Sequence, residues 1–224
     1  MKKIITLVCA ACTLVLANVG SSIADSSNFA GPYVGVSASG YGLQMDGSAS
    51  TSPTAGVLEV DEVSVGQVAP VTGIEVGYAI PLGGLMLIDV NGTYFQGSAK
   101  MEFHNDDVGS GQDVTFTVDD LTTLSIAPTL VLSDTASVYF KVGITEADIG
   151  VTGDITTPGD LSGTTWAIGQ RSVLDSGIFV RTEAGFTDYN GISAHGKGSN
   201  IDADNSYSAE PSVAYGSVSL GFRF

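Results

Sequence analysis

Two-residue alternation in eight separate segments is the feature that most limits what this 224-residue chain can become. Successive side chains of a strand point to opposite faces, so an alternating segment makes a ribbon with one apolar and one polar side. In the last segment Ala214, Gly216, Val218, Leu220, Phe222 and Phe224 share one face. Val213, Tyr215, Ser217, Ser219, Gly221 and Arg223 share the other. Seven earlier apolar series repeat the pattern: Val34, Val36 and Ala38; Ile74, Val76, Tyr78 and Ile80; Met86, Ile88, Val90 and Tyr94; Leu124, Ile126, Leu130 and Leu132; Val138, Phe140, Val142 and Ile144; Trp166 and Ile168; and Ile178, Val180, Ala184 and Phe186. Two residues interrupt them. Gln170 breaks the greasy face of the sixth, and Pro128 cannot donate to a ladder, which predicts a bulge or an unpaired carbonyl beside it.

The links between segments are sorted by length. Short ones at 81–84, 133–135 and 175–177 alternate with long ones at roughly 43–69, 97–120, 146–163 and 190–210. A soluble meander has no reason to sort them, whereas membrane barrels carry tight turns at one end and long loops at the other. Beyond residue 24 the longest aliphatic run is 85–88, far short of a spanning helix. A membrane chain without such a helix must close its sheet, because an open edge leaves backbone groups unpaired in hydrocarbon. The pattern therefore predicts an all-β fold: an eight-stranded antiparallel up-and-down transmembrane β-barrel over 25–224, with both ends on the short-link side.

Val218, Leu220, Phe222 and Phe224 resemble the terminal signal of bacterial outer-membrane barrels, with Gly216 where that family usually continues the apolar series. The chain as a whole resembles small eight-stranded opacity-type porins and the membrane half of outer membrane protein A. The resemblance implies the outer membrane of a Gram-negative-type bacterium. It also implies contact with outer-membrane lipid and lipopolysaccharide, and those four residues as the signal read by the barrel-assembly machinery.

Residues 1–24 carry Lys2 and Lys3, an apolar run of about 16 residues, and small residues at Ser22 and Ala24, which predicts a cleaved export signal. Cys9 and Cys12, the two cysteines, lie inside it, so the remainder is expected to have no thiol chemistry. The full chain has 8 basic and 24 acidic residues and a formal charge of −16. Without Lys2 and Lys3 it is more acidic still, which excludes nucleic acid as a partner, since phosphate binding needs a basic face. A monomer without cofactor or metal is expected.

Four of the six remaining basic residues, Lys141, Arg171, Arg181 and Arg223, lie in strands on the polar face, with Glu75, Asp89 and Glu183. Lys100 and Lys197 fall in long links. Apart from Arg223, these strand charges lie about four to six residues from a short link, one layer on the order of 10 to 16 Å above the rim. An eight-stranded lumen is just wide enough for side chains to fill, so such charges must pair. They read as a closing plug, as a satisfied polar core that stiffens the barrel, or as a rarely opened path for small ions. In outer membrane protein A a similar inner set is thought to act as a gate, which is what the resemblance implies here. Apolar-face aromatics fall near two ends: Tyr94, Trp166 and Phe186 towards the long links, and Tyr78, Phe222 and Phe224 towards the short ones. This reads as two interfacial girdles.

Catalysis finds little support. His104 and His195 lie in long links, and Ser199 and Asp202 are only loop neighbours of His195. Glu59, Asp61 and Glu62, or Asp106 and Asp107, lack calcium-loop spacing and read as solvated charge. The expected function is non-enzymatic and structural, with acidic surface loops. The alternatives are a narrow small-solute porin, or an adhesin acting through its long loops.

Overall fold

The computed structural model describes residues 25–51, 59–103, 114–153, 155–174, 176–197 and 205–224. A short 3-10 turn, Ser26–Phe29, precedes nine strands. These are β1 (Gly31–Thr51), β2 (Glu59–Gly83), β3 (Met86–Phe103), β4 (Val114–Ser133), β5 (Ala136–Thr152), β6 (Leu161–Val173), β7 (Ile178–Tyr189), β8 (Ile192–His195) and β9 (Ser206–Arg223). Strands β1 to β7 pair in sequence order, β7 pairs β9, and β9 pairs β1, so eight antiparallel strands close on themselves. The short β8 is not a wall strand. It pairs with Ser206 to Ala209 of β9, beyond the point where the β7 ladder stops at Asp188 and Ser212.

The short turns are tight. Positive φ at Gly83 (95°) and Gly84 (58°) turns β2 into β3, a left-handed conformation that glycine adopts without a Cβ penalty. Pro128 produces no bulge. The β4 to β5 ladder skips Ala127 and Pro128 and resumes in the same register at Thr129 and Tyr139, while the bulges lie between Asp119 and Thr122 and between Val131 and Ser133.

The apolar face points outward. Val36 is 59% exposed, Ile74 57%, Ile168 65% and Leu220 55%. On β7 the outward series Ile178, Val180, Thr182, Ala184 and Phe186 gives way to Asp188, and on β5 the series Val138 to Ile144 gives way to Glu146. About eight residues per strand, tilted by about 40°, make an apolar belt roughly 20 Å tall, close to the height of an outer-membrane barrel's lipid-facing band.

Three of the four stretches read as long links, 43–69, 97–120 and 146–163, are for the most part strand. Beyond the belt β1 continues to Thr51, β2 begins at Glu59, β3 runs to Phe103 and β5 to Thr152. The described strands end at Thr51, Phe103 and Thr152 and resume at Glu59, Val114 and Leu161, and β8 lies between Tyr189 and Ser206. Alternation persists there with inverted polarity. Leu43 and Met45 point inward while Gln44 and Asp46 point outward, because above the belt the wall stands in water and its apolar side turns in. Tyr41, Leu43, Met45, Val71, Phe95, Val118, Leu121, Ile149, Leu161, Tyr189 and Val213 thus pack an apolar upper lumen. At the opposite mouth a smaller apolar floor joins Phe29, Tyr33, Ala79, Leu87, Val131, Val173 and Phe179.

Candidate functional site

Between these two apolar layers lies a layer of buried charge. Arg181 on β7 is its hub: Nη1 donates to Glu75 Oε2 at 3.0 Å, and Nη2 donates to Asp89 Oδ2 at 3.3 Å and to the Tyr33 hydroxyl at 3.0 Å. Arg171 Nη1 reaches the same Asp89 oxygen at 3.4 Å. Its guanidinium lies 4.3 Å from the Phe179 ring centre and 4.6 Å from that of Tyr33, which stabilises a cation with few anionic contacts. Asp89 Oδ1 accepts from the Tyr33 hydroxyl at 2.6 Å, and Asn91 Nδ2 donates to the Tyr33 oxygen at 2.9 Å.

Glu183 anchors a second group. Lys141 Nζ lies 2.7 Å from Oε1 and 2.6 Å from Oε2, and the hydroxyls of Tyr139 and Tyr215 donate to the carboxylate at 2.7 Å each. The sheet register explains how the rings reach inward. Tyr139 faces Gly169 across β5 and β6, and Tyr33 faces Gly77 across β1 and β2. Each ring lies over its glycine so closely that a methyl group there collides with it. The missing side chain is the space the ring occupies.

The layer is buried and closely packed. Glu75, Asp89, Lys141, Arg171, Arg181 and Glu183 are all buried, at 8% exposure or less. The three carboxylates balance three cations, as burial of charge demands. A cavity of about 10 Å³, the size of one water molecule, lies between Phe29 and Leu87 on one side and Lys141, Arg171 and Arg181 on another. Towards the upper lumen the hydroxyls of Thr123, Thr145, Thr165 and Thr187 hydrogen-bond in series from β4 to β7.

Arg223 does not join this layer. It sits at the short-turn mouth, where Nη1 donates to the carbonyls of Ala30 at 3.1 Å and Ser27 at 3.3 Å. Nor does Arg181 touch Glu183 among the described contacts, so the charges form two groups rather than one pool. Val218, Leu220, Phe222 and Phe224 face outward, as do Tyr78, Tyr94, Trp166 and Phe186. Trp166 stands directly opposite Phe186, and Tyr94 donates to Asp120 at 2.6 Å. Lys100 is exposed on β3, and Lys197 donates to the Gly153 carbonyl at 3.3 Å. His195 is exposed on β8, its backbone N–H donating to Thr156 Oγ1. His104, Asp106, Asp107, Ser199 and Asp202, and residues 1–24, lie outside the described residues. Glu59, Asp61 and Glu62 fall on β2.

Sequence reasoning missed Tyr33, Asn91, Tyr139 and Tyr215, which supply most of the neutral hydrogen-bonding partners of the layer. Their signal was their phase, since all four lie on the polar face of their strands; what each would meet depends on cross-strand register.

A closed antiparallel barrel with a lipid-facing belt and a charged, filled lumen defines a membrane barrel by its physics. The model of the outer membrane protein beta-barrel domain family matches residues 9–222, and the chain belongs to that family. Its fold is similar to the crystal structure of the outer membrane protein OprG from Pseudomonas aeruginosa, with TM-score 0.57 and 12% identity over 87% of this chain and 97% of that one. Further similarities are to Neisserial surface protein A (TM-score 0.45, 12% identity, covering 90% and 99%) and to the outer membrane protease OmpT from Escherichia coli (0.46, 9%, covering 92% and 100%). No curated protein sequence matches the chain.

Proposed function

We propose that this protein is a non-enzymatic, structural barrel of the Gram-negative outer membrane, closed at rest by the layer around Arg181 and Glu183. The observation that carries this reading is the stacking of the lumen: six paired, buried charges lie between an upper and a lower apolar layer. A hydrated ion crossing it would have to break the pairs and dehydrate twice, each step costing several kcal/mol. On this reading the outward residues Tyr78, Tyr94, Trp166 and Phe186 anchor the barrel at the two interfaces. Val218, Leu220, Phe222 and Phe224 serve as the assembly signal, and the wall meets lipid and lipopolysaccharide as a monomer. Acidic residues on the water-facing outer wall, such as Asp46, Glu146 and Glu210, keep the projecting rim soluble.

Liposome swelling with sugars and planar-bilayer recording test the closure. No swelling and no sustained current are expected of the wild-type barrel; steady conductance would overturn the reading. A second reading, rare opening for small ions, is favoured by one contact set. The Arg181 guanidinium lies 5.4 Å from the ring centre of Tyr139, whose hydroxyl bonds Glu183, so only one ring separates it from the other carboxylate. Brief single-channel openings that lengthen in Glu75→Gln would support it.

A further inference from the structure

We infer that residues 26–29 form a cork in the short-turn mouth, latched by Arg223 from β9, and that this seal is separate from the charged layer behind it. A short segment ahead of the first wall strand is ordinarily left loose, because ordering it costs conformational entropy that few contacts repay. This one is held at four kinds of point. Phe29 is 0% exposed and packs in the apolar floor with Leu87, Val131, Val173 and Phe179. The Ser26 N–H donates to the Gly84 carbonyl in the β2 to β3 turn at 3.3 Å. Arg223 Nη1 binds two carbonyls of the segment, Ser27 and Ala30. The turn is closed on itself by Asn28 N–H to Asp25 O and Ala30 N–H to Ser27 O, at 3.2 Å each, with the Asp25 carboxylate accepting from the Ser27 N–H.

The seat is assembled from strands around the barrel. Leu87, Val131, Val173 and Phe179 come from β3, β4, β6 and β7, and the latch comes from β9. Arg223 stands next to the closure itself, since it pairs with Tyr33 across the β1 to β9 seam and the following N–H, of Phe224, donates to Pro32 O. These strands surround one mouth only when the sheet has closed, so full seating follows closure of the sheet. An earlier docking would leave Phe29 and the latch without most of their partners.

The cork also guards the charges. Phe29 and Leu87 line the small cavity whose other walls include Arg171, Arg181 and Lys141. Removing the ring joins that cavity to the mouth and lets water reach the lower side of the charged layer. The upper side, at the threonine series, stays shut as long as the ion pairs hold. The two seals therefore separate by position: one lies below the charges, the other is the charged layer itself.

Thiol accessibility tests this in the full chain, folded in vesicles, against a membrane-impermeant cationic methanethiosulfonate. The parent chain, with Cys9 and Cys12, sets the background. Cysteine is placed at Leu87 beneath the cork, at Thr145 above the charges, and at exposed Thr135 as a reference. With the cork intact, Leu87→Cys is expected to react about 100-fold more slowly than Thr135→Cys, as protection by a local opening allows. Adding Phe29→Ala or Arg223→Ala should raise its rate about tenfold or more, while Thr145→Cys stays slow in both backgrounds. Equal rates at Leu87 and Thr135 with the cork intact would overturn the cork. A Leu87 rate indifferent to both substitutions would do the same. A Thr145 rate that rises in step with that at Leu87 would overturn the separateness of the two seals.

Discussion

Arg181→Ala removes the side chain on which the charged layer turns, and the structure sets the cost. Glu75 loses its observed cation, and its second oxygen already lacks a protein partner. Asp89 fares better, keeping Arg171 at 3.4 Å and the Tyr33 hydroxyl at 2.6 Å. Glu183 is unaffected, since it is held by Lys141, Tyr139 and Tyr215. The substitution therefore leaves one buried carboxylate unpaired rather than three. Breaking a buried pair in this way costs about 3–5 kcal/mol. At a slope of about 1–3 kcal/mol/M in urea, the unfolding midpoint should fall by more than about 1 M. Trp166, the single tryptophan, sits outward in the belt, so its fluorescence reports departure of the wall from lipid during a urea titration in vesicles. The double change Glu75→Gln with Arg181→Met removes both charges and keeps most of the volume. It should recover at least about half of the loss, because the penalty is mainly that of an uncompensated buried charge. A midpoint shift under about 0.3 M in Arg181→Ala, or a double variant no more stable than the single one, would refute the reasoning.

Four further outcomes can be measured in the same titration or beside it. Gly169→Ala drives the Tyr139 ring off its seat and away from Glu183, with an expected loss of about 1–3 kcal/mol, whereas Gly92→Ala, with open space around it, should change little. Leu43→Ala empties part of the upper apolar layer and should cost about 2–5 kcal/mol; a cost near zero would mean that the projecting wall carries no stability. Val36→Ala, facing lipid, loses only the transfer of two carbons, about 1.5 kcal/mol. Under the proposed assembly role, Phe222→Ala with Phe224→Ala lowers the amount of protein recovered in outer membranes and leaves the midpoint of the refolded barrel close to wild type.

The belt was legible because lipid imposes one rule on every wall strand: apolar side chains on one phase, small or polar ones on the other. Val34, Ile74, Val90, Ile126, Val142, Ile168, Val180 and Leu220 follow it without help from distant residues. The upper wall was not legible by the same rule. From Tyr41 onward in β1 the apolar residues move to the other phase, as Leu43 and Met45 turn inward, and a search for one phase reads such a stretch as a link. The solvent changes from hydrocarbon to water at that height, and the phase switch marks the change only once both faces of the strand are considered together. The charges were legible as an inward set, since a buried ion must face the lumen of a barrel whose other side meets lipid. Arg223 shares their face but not their layer or partners, because phase gives a face and neither a height nor a partner.

From the amino-acid order alone follow the closed sheet, the number of wall strands, the side that meets lipid and the inward facing of the ionised residues. Each of these rests on the period-two pattern and on the need to satisfy every backbone group in a bilayer. Only the tertiary structure decided that Arg181 holds Glu75 and Asp89 while Lys141 holds Glu183. It also decided that Tyr33 and Tyr139 reach the charges across facing glycines, and that Phe29 fills the mouth. Those outcomes depend on register, and register brings together residues as far apart as Glu75 and Arg181, a distance over which no local pattern acts.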